Sequence, residues 1–131
     1  MCVFCKIINN EIPSKKVYED ESVLAILDLS QLEKGHTLVI PKKHYDTFLE
    51  CDKDTIDHVI EVTQKLAIKI KNNLSADGVN VLNNSYAAAG QSVMHTHFHI
   101  IPRYNNDDFG FKEVNHEGKY DLDKVLEEIN K

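Results

Sequence analysis

Between residues 56 and 74 the apolar side chains return every three or four positions, as Ile56, Val59, Ile60, Thr63, Leu66, Ala67, Ile70 and Leu74. That spacing lines them up on one stripe of an amphipathic α-helix of about five turns, which must be buried against another layer. Asp52 or Asp54 can cap its start, and Asn72, Asn73 and the Asp77-Gly78 pair offer an exit. On both sides of the helix the chain reads as strand. Runs 16–19 and 22–28 flank the acidic pair Asp20-Glu21 as a hairpin, and a third run, 36–40, follows Gly35 and stops at Pro41, which cannot continue a ladder. After the helix come 79–83 and 93–103, the latter ended by Pro102. Strands on either side of one long helix predict an α+β domain, an antiparallel meander of about five strands packed on that helix. A short helix or turn over 4–10, ended by Pro13, precedes the meander, and a helix capped by Asp121 and carrying Leu122, Val125, Leu126 and Ile129 ends the chain.

At 131 residues and with no internal repeat, one core is expected, a single domain over 1–131 with its centre in 2–104 and a loop and helix over 105–131. Hydrophobic residues are 42% and charged residues 27%, enough apolar material for a sizeable core. No apolar run approaches the roughly 18 residues of a spanning helix, and the first residues lack signal-peptide order, so a cytoplasmic protein without a membrane partner is expected. A net charge of -6 argues against binding nucleic acid through its phosphates. Three cysteines, Cys2, Cys5 and Cys51, are too few for a disulfide framework and suit a reducing compartment. Cys2-x-x-Cys5 can supply two thiolates to a tetrahedral zinc if two further ligands come from elsewhere, or it can be two free thiols. Cys51 reads as a small residue at the helix entry, and His58 and His116 as surface residues.

The chemistry concentrates near residue 97, where three of seven histidines fall within five residues: His95-Thr96-His97-Phe98-His99. On a strand the imidazoles share one face, and Thr96, Phe98 and Ile100 share the other. Three readings are open: core or solvated histidines, a metal site, or a catalytic face. Imidazole titrates near 6.5, so one ring can attack phosphorus while its neighbours hold anionic oxygens. Attack would divide a hard displacement into transfer to histidine and then hydrolysis. The loop 84–92, with Ala87-Ala88-Ala89-Gly90, has small side chains that let a ligand approach the backbone.

The segment His95 to Ile101 resembles the His-x-His-x-His-x-x signature of the histidine triad (HIT) family, with apolar residues at x, apart from Thr96 at one of those positions. Phe4-Cys5-Lys6-Ile7-Ile8, Glu11-Ile12-Pro13, Tyr18-Glu19-Asp20, Leu27-Asp28, Gly35-His36-Thr37-Leu38-Val39-Ile40-Pro41-Lys42 and Gly90-Gln91-Ser92-Val93 resemble the same family in order and spacing, in its Hint or protein-kinase-C-interacting-protein-like branch.

The resemblance implies that His97 is the nucleotidylated histidine, with His99 and His36 as donors around the phosphate. It implies a purine nucleoside monophosphate as the bound group, with Asp28 on the ribose hydroxyls and Ile12 and Ile26 sandwiching the base. Asn84, Gly90, Gln91 and Ser92 fall near the phosphate and leaving group, where Ser92 can pass a proton. Read singly, Asp28 can end a strand, Ile12 and Ile26 can be core, and Asn84 and Ser92 can be turn residues. Some bacterial relatives hold a structural zinc, which would here use Cys2, Cys5, His44 and His95. Relatives are commonly homodimers that extend the sheet across a two-fold axis. The expected activity is cleavage at the α-phosphorus of nucleoside phosphoramidates or related purine nucleotides. Alternatives are dinucleoside polyphosphate hydrolysis, a zinc hydrolase that uses the histidines as ligands, and a nucleotide-binding regulatory module with little turnover.

Overall fold

Alternation along the strands sorts the apolar residues into two layers. In the computed structural model, which describes residues 2–131, β1 (Lys16–Glu19), β2 (Val23–Leu27), β3 (Thr37–Pro41), β4 (Gly78–Asn83) and β5 (Phe98–Arg103) form one antiparallel sheet in the order β1-β2-β3-β5-β4. Val23, Ala25, Val39, Phe98 and Ile100 turn toward α2 (Lys53–Asn73) and meet Val59, Val62, Leu66 and Ile70. Leu24, Ile26, Leu38 and Ile40 turn the opposite way, toward Phe4 and Ile7 of α1 (Val3–Ile8). Burying one such side chain contributes about 1.5–3 kcal/mol, so both faces of the sheet stabilise the fold.

β1, β2 and β3 follow one another as a meander, and α2 then carries the chain to the far edge, where β4 forms before β5 returns between β4 and β3. Asp52 starts α2, its Oδ1 accepting from the Thr55 N–H at 2.7 Å. The helix leaves through Ser75 at φ +54, one residue beyond Leu74, rather than through Asn72, Asn73 or Gly78. Gly35 approaches this exit at φ +97, and a Cβ there would lie 2.4 Å from Leu74 Cδ1, so a larger residue before His36 would strain the backbone and push the Leu74 side chain aside.

Three boundaries differ from the sequence reading. α1 ends at Asn9 because Asn10 turns left-handed at φ +62, so the stop comes before Pro13. Pro41 is the last residue of β3, paired with Val23, while Lys42 N–H donates to Ser22 O in the next pair. The bond that proline cannot make therefore falls on the β5 side, where pairing has already stopped at Val39 and Phe98. β5 begins at Phe98, not at residue 93, because residues 93–97 join no strand ladder and hydrogen-bond instead to the last carbonyl of β3 and to the chain beyond it. Thr96 N and Oγ1 both donate to Tyr45 O, at 2.7 and 3.0 Å, and His95 Nε2 donates to Pro41 O at 2.8 Å.

Past β5, Glu33 Oε1 accepts from the Asp108 and Phe109 N–H groups, which fastens that turn to the β2–β3 loop. α3 (Leu122–Ile129) starts at Asp121, as its capping sequence predicts, and leaves Leu122, Leu126 and Ile129 exposed. Among the described residues no helix is long and apolar enough to cross a membrane.

Candidate active site and metal centre

The three alternating histidines keep a common face although only His99 lies in the strand. Their rings run in a row: Phe4 packs edge-on against His97 at 5.0 Å, His97 against His99 at 5.0 Å, and His99 lies 5.1 Å from His36. Thr96 and Phe98 face away, Phe98 into the α2 layer. Hydrogen bonds fix which nitrogen of each ring carries the proton. His97 Nδ1 is 2.7 Å from His95 O, and a carbonyl only accepts, so Nδ1 is protonated and Nε2 keeps its lone pair. His36 Nδ1 accepts from the Leu32 N–H at 3.2 Å, so the neutral ring donates from Nε2 to His99 Nδ1 at 2.9 Å. That leaves His99 with a donor at its own Nε2.

Burial keeps these rings uncharged. It lowers the pKa of His97 against the opposing pull of the His95 carbonyl and Asp28, and lowers that of His36 despite Asp28. His99 is pushed down to about 4, by burial first and then by His97 and His36. A neutral ring with a fixed lone pair, beside neutral N–H donors, can attack an electrophilic centre and hold the oxygens on it.

Asp28 directly follows β2 and its Oδ2 lies 3.7 Å from His36 Nε2, while Oδ1 accepts from the Ser30 N–H at 2.8 Å. Gln31 closes this loop: its Nε2 donates to Asp28 O and His36 O, and its Oε1 accepts from the Gly35 and His36 N–H groups. Asp28, His36 and His99 present three ligand-type atoms within 4.8 Å of one another. The proton between His36 and His99 occupies the place a cation would take, so the grouping reads as a hydrogen-bond relay. Ile12 is half-buried beside the α1 layer, whereas Ile26 is inside it and only 4% exposed, which leaves it little surface for a ligand.

The 84–92 loop borders the other flank of His97. Asn83 Nδ2 donates to His97 O at 3.0 Å, and Ser85 Oγ donates to Asn83 Oδ1 at 3.3 Å. Asn84 lies over Gly90, where a Cβ would come within 3.3 Å of its Nδ2. Ser92 is exposed and its hydroxyl has no partner among the described residues. Gln91 is buried, and its amide is fully engaged with backbone: Oε1 accepts from Tyr86 N–H, and Nε2 donates to Asp46 O and Val93 O. It holds the loop's shape instead of presenting a free amide. At the loop's turn Tyr86 adopts φ +73 and ψ 160, a region populated almost only by glycine and costing about 1–3 kcal/mol.

Cys2, Cys5, His44 and His95 converge at one end of the histidine row. Their sulfur-to-nitrogen distances are 3.4 to 3.6 Å and the two Nδ1 atoms are 3.0 Å apart. A zinc tetrahedron with Zn–N of about 2.0 Å and Zn–S of about 2.3 Å has edges of roughly 3.3–3.8 Å, so the set fits. The chemistry fits as well. His95 Nε2 donates to Pro41 O and His44 Nε2 donates to Asp46 Oδ1 at 2.7 Å, so the two Nδ1 atoms face each other, an arrangement satisfied by a metal ion between them or by a proton on His44, whose pKa Asp46 raises. Cys2 also caps α1, its Sγ accepting from the Cys5 N–H at 3.2 Å. Such an ion would tie α1 to the chain after β3 and to the start of the histidine row.

The sequence pattern points to five histidines, His36, His44, His95, His97 and His99, with Asp28, Cys2 and Cys5, and does not point to Asn83, Gln31, Asp46 or the backbone of Tyr86. Asn83 was passed over for its neighbour Asn84, since strand alternation alone does not tell which asparagine reaches the histidine backbone. Asp46 stands two residues after His44, a carboxylate-to-histidine spacing that could have flagged it. His58 pairs with Asp20 at 2.7 Å on the β1–β2 hairpin, away from the histidine row, and Cys51 Sγ lies 3.6 Å from Thr96 Oγ1.

Comparison with known proteins agrees with this geometry. The HIT domain matches residues 9–106. An uncharacterized HIT-like protein of Methanocaldococcus jannaschii is 52% identical over 131 residues, covering 98% of each chain. Adenylylsulfatase HINT3 of Arabidopsis thaliana is 40% identical over 128 residues, 98% of this chain and 65% of that one. A crystal structure of a Streptococcus mutans protein superposes with a TM-score of 0.93 at 45% identity, over 98% of this chain and 83% of the other. A Zn-bound histidine triad family protein from Mycobacterium smegmatis superposes with a TM-score of 0.79 at 36% identity, over 98% and 95%.

Proposed function

The chain belongs to the HIT domain family, and on that basis we propose that it is a nucleotide hydrolase or transferase that cleaves at the α-phosphorus of purine nucleoside phosphoramidates or related nucleotides. The observation that carries this reading is His97, whose Nδ1 is held by His95 O and whose Nε2 lone pair is left available on an uncharged ring. Nε2 attacks the α-phosphorus, a P–Nε2 bond forms, and the bond to the leaving nitrogen or oxygen breaks. The leaving atom keeps the electron pair and takes a proton passed by Ser92. Water then adds to phosphorus and gives its proton back to Ser92, the P–Nε2 bond breaks with its pair returning to Nε2, and nucleoside monophosphate departs. His99 Nε2–H donates to the phosphoryl oxygens and His36 fixes the orientation of His99. Asp28 accepts from the ribose hydroxyls, Ile12 and the edge of Ile26 contact the base, and Asn84 donates near the leaving side, where Gly90, its N–H held by Ala87 O, leaves room for close approach. The relative named as an adenylylsulfatase supports the same displacement with another leaving group.

A zinc ion would be held by Cys2, Cys5, His44 and His95, where it would anchor α1 and serve the fold; a structural neighbour is Zn-bound. The whole chain acts as one HIT domain with 105–131 as its tail, working in the cytoplasm, where thiolate ligands stay reduced. Two copies join through the edge strand β4 and the outer side of α2, where Ile60, Ile68 and Val81 are exposed. The test is release of adenosine monophosphate and ammonia from adenosine 5′-phosphoramidate. Wild type should turn it over and His97→Ala should lose at least about a thousandfold, as expected for removing a nucleophile. Equal rates would overturn the reading.

A further inference from the structure

Tyr86 is the large residue of a turn otherwise built from Ala87, Ala88, Ala89 and Gly90. It holds a backbone conformation, φ +73 and ψ 160, that glycine would adopt without strain. Three bonds hold it there: Tyr86 N–H donates to Gln91 Oε1 at 2.7 Å, and Tyr86 O accepts from the Ala89 and Gln91 N–H groups, both at 3.1 Å. Gln91 is itself buried and fastened to Asp46 and Val93, so the strained turn is gripped from beneath by a fixed side chain. The tyrosine ring is half exposed, and among the described residues its hydroxyl bonds to nothing and its ring packs on no other ring. No hydroxyl hydrogen bond and no ring contact among the described residues therefore accounts for a tyrosine at this position.

The place of the turn suggests what does. Asp28 and His36 lie at one flank of His97, where the nucleoside is bound in the reading above, and Asn83, Ser85 and the turn lie at the other, joined to His97 O through Asn83. A group leaving phosphorus on the flank away from the nucleoside meets this turn. Its alanines give room, and Tyr86 offers an aromatic face. We infer that Tyr86 is a specificity-determining residue that favours leaving groups carrying a planar ring, by stacking on that ring as it sits beyond the α-phosphorus. This rests on the phosphorus-transfer reading of the site. The ring can belong to an aromatic amine or to the base of a second nucleotide, and the chemistry of contact is the same for both.

The test compares kcat/KM for three substrates: adenosine 5′-phosphoramidate, whose leaving group is ammonia; an adenosine 5′-phosphoramidate of tryptamine; and diadenosine triphosphate. Tyr86→Gly should lower the preference for at least one ring-bearing substrate over the ammonia substrate by about tenfold, the usual worth of one stacking contact. The substrate with the larger fall identifies the source of the ring. Tyr86→Phe should keep the wild-type preference. Tyr86→Gly should also raise the urea midpoint, because the strain goes with the Cβ. If Tyr86→Gly leaves both ratios at their wild-type values while wild type cleaves all three substrates, the inference fails and the reading of the site stands. If wild type cleaves none of them, the reading fails and takes this inference with it.

Discussion

His97 is held through its own ring and its own carbonyl: Nδ1 donates to His95 O and the carbonyl accepts from Asn83 Nδ2. Asn83→Ala removes the second hold without touching substrate. One such hydrogen bond is worth about 1 kcal/mol, so kcat should fall roughly fivefold with KM nearly unchanged; steady-state kinetics would show it, and an equal change in KM would make Asn83 a binding residue instead. His99 carries a second consequence at this scale. Its pKa is about 4 in the fold and 6.5 as an ordinary side chain, so between those values the unfolded chain holds a proton that the folded chain refuses. The stability from neutral His99 is whole above pH 6.5 and is lost as pH falls toward 4. Urea midpoints should drop over that window more in wild type than in His99→Asn, and parallel curves would refute the assignment. The triad was legible at residue level because a period of two survives any detail of packing. Tyr86 was not, since nothing in a tyrosine's identity announces a positive φ, and Gln91 read as a ligand contact because its commitments to Asp46 and Val93 are long-range backbone bonds.

At the scale of elements, α2 was readable because its stripe repeats through five turns, yet Ile60 on that stripe points away from the sheet and is 44% exposed. Periodicity gives the apolar face and not how much of it the sheet covers. The strand reading over 93–103 runs too long for a related reason: the alternation of histidines continues back to His95, but residues 93–95 bend, with His95 N–H donating to Val93 O, and Thr96 bonds to Tyr45 O beyond β3. α1 is a helix of six residues, too short to be stable alone. It holds through Phe4 and Ile7, and in the proposed reading also through a zinc on Cys2 and Cys5, which flank its first turn. Cys5→Ala should therefore release one zinc per chain and lower the melting temperature by roughly 5–10 °C, about 2 kcal/mol in a chain of this size. Protein that is still folded should keep turning over substrate; loss of turnover in a folded, zinc-free protein would make the metal part of the chemistry.

For the whole molecule, two nearly separate tasks share one sheet. The α2 layer supplies most of the core, and the opposite face carries the histidine row between Asp28 and the Cys2, Cys5, His44, His95 cluster. The sheet leaves β4 as a free edge beside Ile60, Ile68 and Val81, an arrangement that needs covering. Ile68→Glu should halve the mass measured by light scattering at micromolar concentration from that of two chains to one. A monomeric wild type would contradict the proposed assembly. The sheet order was out of reach of the sequence, because which edge β5 joins depends on where α2 sets the chain down.

The central claim is a bond between His97 and phosphorus. Acid-free quenching of the protein within its first turnover of adenosine 5′-phosphoramidate, followed by intact mass and peptide mapping, tests it directly. The account predicts one adenylyl group per chain, mapped to His97 and absent from His97→Ala. Turnover with no adduct, or an adduct mapped to another residue, would contradict it.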